Sequence, residues 1–104
     1  MDANAIAEVI RPVLRRYGVS RAVLFGSFAT GRNSSKSDVD LILVKETQKR
    51  FFDRYDGILE ELYDVLPGRD IDVLIYTKQE VEGISHRPFI KKALREGKVI
   101  YESG

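Results

Sequence analysis

Apolar positions at the start of the chain recur with the spacing of one helical face: Ile6, Val9, Ile10, Val13, Leu14 and Tyr17 follow i, i+3, i+4 steps. Asp2 or Asn4 can cap the start of this helix and Gly18 its end. Pro12 lies inside the pattern, removes a backbone donor and is expected to kink it. The rhythm then changes. Arg21–Phe25 is a short apolar run bounded by Ser20 and Gly26, which reads as a buried strand. A polar loop over 33–37 leads into a second strand over 38–44. From 49 to 66, Phe51, Phe52, Tyr55, Ile58, Leu59, Leu62, Tyr63, Val65 and Leu66 share one continuous face, roughly 160° wide at about 100° per residue. Asp53, Arg54, Asp56, Glu60, Glu61 and Asp64 fill the rest. The pattern predicts one long helix, stopped by Pro67-Gly68. A third strand follows over 70–76, a short helical turn over 79–82, a helix over Pro88–Glu96 that opens on a proline and closes at Gly97, and a last strand over 98–101. Strands separated by helices indicate an α/β fold: a small mixed β-sheet with helices packed mainly on one face. With no internal repeat, linker or low-complexity segment, residues 1–104 read as a single domain.

Composition narrows the function classes. A chain of 104 residues with 43% hydrophobic and 32% charged residues reads as globular and soluble, with a modest core. No apolar run approaches the roughly 20 residues that span a bilayer, so no membrane association is expected. The start, Met1-Asp2-Ala3-Asn4, lacks the basic and apolar segments of a signal peptide, and there is no cysteine for a disulfide or thiolate metal site. These features fit a cytoplasmic protein. A net charge of +1 argues against a general nucleic-acid binder.

Candidate chemistry lies between residues 25 and 44, FGSFATGRNSSKSDVDLILV. Gly26-Ser27 stands at a strand end and can open a short helix through Phe28-Ala29. Glycine allows close approach of backbone to a ligand, free N–H groups at such a turn face an anion, and the serine hydroxyl can donate to a phosphate oxygen. Alone, Gly-Ser is a common turn. Asp38 and Asp40 are two apart on a strand and point to one face. Two carboxylates there repel unless a cation such as Mg²⁺ lies between them. The alternative is that Asp38 caps the loop and Asp40 pairs with a buried arginine. One partner or the other is required, because an unpaired buried carboxylate is costly. Asp72 repeats the anomaly inside the third strand. If the two strands are neighbours, three carboxylates converge, enough for two divalent ions about 4 Å apart that clamp a phosphoryl transfer. Asp70 shares the parity of Asp72 and is expected at the strand's entrance instead.

Gly26-Ser27, ten residues, then Asp38-Val39-Asp40 resembles the G-S-x10-D-x-D signature of the DNA polymerase beta nucleotidyltransferase superfamily. The length, leading helix and third strand acid resemble its smallest branch, the minimal nucleotidyltransferases (MNT), including the MntA-like antitoxin type, over nearly the whole chain. The resemblance implies that Gly26 and Ser27 hold a triphosphate and that Asp38 and Asp40 hold two Mg²⁺ ions, with Mn²⁺ as a substitute. Asp72 would be the third carboxylate, the one that accepts the proton of the attacking hydroxyl. Ser37 also matches the pattern. One departure is Thr30, where relatives often carry arginine; Arg32, two positions on, is expected to reach the phosphates in its place.

By the same resemblance the reaction is transfer of a nucleoside monophosphate, AMP from ATP, to a hydroxyl. The leading acceptor is a tyrosine of a partner HEPN-domain toxin, which makes the chain an antitoxin. A small-molecule nucleotidyltransferase like the aminoglycoside-modifying relatives is the second reading, and 104 residues leave no room for their extra substrate domain. A non-catalytic antitoxin that neutralises its partner by contact is the third. A homo-oligomer is left open.

Other candidates are weaker. His86, the single histidine, reads as a loop or capping residue, and Lys91, Lys92 and Arg95 as a solvated face. The 49–66 face reads as core whose aromatic rim could meet a partner.

Overall fold

The computed structural model describes residues 1–34 and 36–103; Ser35, in the expected polar loop, and Gly104 lie outside the described residues. Helix α1 (Ala3–Arg16) begins at Asp2, whose Oδ1 accepts the Ala5 N–H at 2.9 Å, a cap of about 1 kcal/mol. The helix runs past Pro12, which sits on its exposed side and cannot donate to the Glu8 carbonyl. The remaining elements are β1 (Arg21–Phe25), α2 (Ser27–Thr30), β2 (Val39–Val44), a 3-10 turn (Phe51–Tyr55), α3 (Ile58–Val65), β3 (Ile71–Tyr76), α4 (Lys78–Ile84), α5 (Pro88–Glu96) and β4 (Lys98–Glu102). The strand order is β3-β2-β1-β4; β1 is antiparallel to β2 and β4, while β2 and β3 run parallel. The mixed α/β sheet is therefore as expected.

The period of two along the strands sorts the two faces. Ala22 and Leu24, Val39, Leu41 and Leu43, and Ile71 and Ile75 meet Ile6, Ile10, Val13 and Leu14 of α1 and Ile58 and Leu62 of α3 in the larger core. Val23 and Ile42 point the other way into a smaller cluster with Ile90 and Ala93 of α5, bordered by Phe25, Leu74 and Tyr76. Asp40 has the parity of Ile42, so it emerges on this second face. A strand buried on both faces elsewhere can thus carry a carboxylate near its beginning without placing it in the main core.

The long helix expected over 49–66 is broken in two. Residues Phe51–Tyr55 form a 3-10 turn, and α3 starts only at Ile58. Between them Gly57 has φ +82°, and a Cβ there would lie 2.6 Å from the Tyr17 hydroxyl oxygen. The chain passes close to Tyr17, whose hydroxyl donates to Glu61 of α3, and at this backbone angle the approach leaves no room for a side chain at 57. The break also turns Arg54 inward. Its guanidinium grips Glu80 with two bonds of 2.6 and 3.0 Å and donates to the Ile75 and Lys49 carbonyls at 3.1 Å each. Glu80 in turn closes a capping box with Thr77, so the turn expected over 79–82 extends into α4.

Candidate functional site

Asp40 is the second residue of β2 and Asp72 the second of β3, and the parallel register pairs them directly. Directly paired residues on adjacent strands share a face, so the two carboxyls stand side by side. Across the other edge of β2, Asp40 is paired with Phe25, the last residue of β1. Three strand ends therefore meet at one point. Burial raises the Asp40 pKa from 3.8 to about 6, and the hydrogen bond to Asp72 and the like charges of Asp72 and Asp38 push the same way. No lysine or arginine among the described residues forms an ion pair with these acids; the well-buried arginine, Arg54, is bound to Glu80. The pairing of Asp40 with a buried arginine, the bland alternative, is therefore absent.

Gly26 follows β1 with φ +74° and ψ −149°, a backbone region open essentially to glycine. A Cβ at this position would overlap Asp40 Oδ2. The turn into α2 thus lies directly against the carboxylate, and the residue type at position 26 is dictated both by backbone angle and by space.

These groups face a cleft of about 900 Å³. One wall is polar, with Gly26, Ser27, Thr30 and Arg32. Asp40 and Asp72 lie at its base. A second wall is α5, which contributes Phe89, Lys92, Ala93 and Glu96 at the i, i+3, i+4, i+7 spacing of a single helix face. Beyond the outer edge of β3 the cleft continues over Tyr55, Leu59, Ile71 and Val73.

The expected site residues divide accordingly. Gly26, Ser27, Arg32, Asp40 and Asp72 are brought together. Asp38 is exposed in the residue before β2: near enough for its charge to act on Asp40, but outside the cleft lining. Among the described residues no three His, Cys, Asp or Glu side chains are gathered closely enough to hold one cation, so the expected convergence is a carboxylate pair with a third acid beside it. Ser37 also lies outside the lining; its hydroxyl accepts the Ser34 N–H at 2.8 Å and its carbonyl accepts from Arg69 at 3.2 Å, which braces the loop. Asp70 stands at the entrance to β3, where its carbonyl accepts the Val39 N–H at 2.9 Å. His86 is exposed between α4 and α5.

Sequence patterning did not bring Phe25, Phe89 or Glu96 to the site, and it left Lys92 on a solvated face. Only the spacing Phe89, Lys92, Ala93, Glu96 carried a signal, and a helix face by itself does not say what it opposes.

The family described as "Polymerase beta, Nucleotidyltransferase" matches residues 8–104. The chain belongs to this nucleotidyltransferase family. A Methanocaldococcus jannaschii protein named as a candidate protein adenylyltransferase is 37% identical over 76 residues, 73% of this chain and 80% of that protein. A second protein from the same organism, named in the same way, is 32% identical over 98 residues, 89% of this chain and 91% of its own length. Among solved structures, one described as a candidate minimal nucleotidyltransferase superposes with a TM-score of 0.67 at 27% identity, over 94% of this chain and 95% of that one. A toxin–antitoxin structure with AMP-PNP superposes with a TM-score of 0.70 at 18% identity, over 93% of this chain and 73% of that one, and is alike in fold. The fold and the nucleotidyltransferase resemblance read from the sequence are therefore correct.

Proposed function

We propose that the protein transfers AMP from ATP to a hydroxyl of a partner protein, with a tyrosine of a HEPN-domain toxin as the acceptor, and thereby acts as an antitoxin. The observation that carries this reading is the in-register Asp40–Asp72 pair beside Gly26, in a cleft that has a polar wall on one side and an apolar extension over the β3 edge on the other.

The donor set fits a divalent metal. Carboxylate oxygens with no cationic side chain paired to them are hard ligands, and the raised pKa of Asp40 measures how poorly the site tolerates its own charge. The Asp40–Asp72 pair, with Asp38 beside it as the third acid, would hold Mg²⁺ or Mn²⁺, which would supply charge neutralisation for the phosphates and the leaving group. Gly26 and Ser27 would hold the triphosphate, with Arg32 on the same wall and Ser37 positioning the loop that carries Asp38. The acceptor oxygen forms a bond to the α-phosphorus, the bond from that phosphorus to the bridging oxygen breaks, and pyrophosphate leaves. Asp72, the more exposed of the pair, takes the hydroxyl proton. A phenol suits this base, being more acidic than an aliphatic alcohol.

Tyr55 and Leu59 support a protein acceptor, since they extend the cleft beyond the sheet with the aromatic and aliphatic surface that interfaces use. Incubation with ATP, Mg²⁺ and a cognate HEPN-domain protein should add one or more AMP units to that partner by mass spectrometry. A partner that is inhibited yet unmodified would replace the enzyme by an antitoxin acting through contact alone.

A further inference from the structure

The wall formed by α5 has no role in the phosphate chemistry above, yet it carries an exposed aromatic. Phe89 retains 60% of its accessible surface, at the first turn of α5, and lines the cleft. Its ring packs edge-to-face on Phe25 with centroids 5.8 Å apart and planes at 88°. Phe25 is the strand partner of Asp40. Both rings line the cleft with the carboxylates, so an aromatic surface begins at the strand partner of Asp40 and continues onto α5. An edge-to-face pair leaves a face of the exposed ring free.

We propose that Phe89, held by Phe25, is the stacking platform for the nucleobase of the nucleotide. The inference rests on the reading of Gly26, Ser27 and the carboxylates as the triphosphate end of the cleft and adds the opposite end of the ligand. A base has an apolar, polarisable face that gains by covering an exposed phenyl ring. Stacking is worth about five- to a hundred-fold in affinity per base. It explains why a large apolar side chain stands in solvent on the wall of a charged cleft, when Ile90 and Ala93 of the same helix are buried against the sheet. Stacking reads a π-face and not a hydrogen-bonding edge, so purine nucleotides should bind at similar strength.

The test separates base from phosphate. Calorimetry in Mg²⁺ compares AMP-PNP with inorganic tripolyphosphate on the wild type, Phe89→Ala, Phe89→Trp and, as a control, Phe52→Ala, which removes an aromatic that is 83% exposed and lies outside the cleft lining. The expected result is that Phe89→Ala weakens AMP-PNP by about five- to a hundred-fold and leaves tripolyphosphate unchanged, while Phe89→Trp and Phe52→Ala keep both affinities. Equal losses for both ligands in Phe89→Ala, or no loss for AMP-PNP, overturn the proposal. Unchanged nucleotide affinity combined with lost partner binding would make Phe89 a protein contact instead. A wild type that binds neither ligand overturns the triphosphate reading, and the stacking inference with it.

Discussion

Two glycines five residues apart provide a controlled test of how the site is built. Gly26 and Gly31 both have positive φ, +74° and +75°. They differ in ψ, −149° at Gly26 and 13° at Gly31, and in surroundings, because a Cβ at Gly31 meets nothing within 4 Å whereas one at Gly26 overlaps Asp40 Oδ2. Gly31→Ala should therefore cost only the left-handed penalty, about 1 kcal/mol. Gly26→Ala forces alanine into a region open essentially to glycine, about 1–3 kcal/mol. It must also displace the Asp40 carboxyl, because the strand cannot retreat: Leu41, Ile42 and Leu43 are no more than 1% exposed. Overpacking of this kind adds about 1–3 kcal/mol. The total for Gly26→Ala is about 2–6 kcal/mol, against about 1 for the control. Urea unfolding at neutral pH measures both, and the m-value checks that the two-state transition is unchanged. Equal destabilisation by the two substitutions would refute the close packing of the turn on Asp40. So would a Gly26→Ala protein that keeps full nucleotide affinity, since the same contact joins the triphosphate wall to the carboxylates.

The acidic pair should make stability depend on pH. The folded-state pKa of Asp40 is raised to about 6 from 3.8, so its contribution is most favourable below 3.8 and declines as pH rises through 6. In chelator, Asp40→Asn should then gain on the wild type between pH 4 and 7, by about 1–2 kcal/mol after allowing for partial exposure; parallel curves for the two proteins would exclude the raised value. Glu80 runs in the opposite sense: the bonds from Arg54 lower it to about 2 from 4.5, so its contribution is complete above 4.5 and lost as pH falls through 2. Acid titration of Glu80→Gln should show a deficit of about 1 kcal/mol at pH 7 that closes in that window. Arg54→Ala, which empties a side chain only 7% exposed and orphans the Ile75 carbonyl, should cost about 2–3 kcal/mol by thermal or urea unfolding. Asp40→Ala should abolish nucleotidyl transfer with the fold retained, while Ser27→Ala should weaken it less because backbone N–H groups remain; radiolabelled ATP assays giving the reverse order would count against the assigned roles.

Much of this protein is written in local pattern. The period of 3.6 at Ile6 to Leu14 and at Pro88–Glu96 placed two helices, and the runs around Leu24, Ile42 and Ile75 placed three strands, because amphipathic spacing is a property of neighbouring residues alone. Gly26-Ser27, Asp38-Val39-Asp40 and Asp72 stood out for the same reason: acids inside apolar strands and a glycine at a strand end conflict locally with their surroundings. The break at Gly57 was not legible there. The apolar face continues across it, and the close approach of Gly57 to Tyr17, forty residues away in the chain, is a tertiary contact that local pattern does not carry. Arg54 looked like a solvent residue on a helix until that break turned it toward Glu80 and the Ile75 carbonyl. The contact between Asp40 and Asp72 needed the parallel register of β2 and β3, and Phe89 and Lys92 joined the site only when α5 packed over Val23 and Ile42. Residue type and spacing determine which groups carry chemistry; which of them share a cleft depends on long-range packing, because strand order and helix docking are set by the burial of the whole core and not by any one segment.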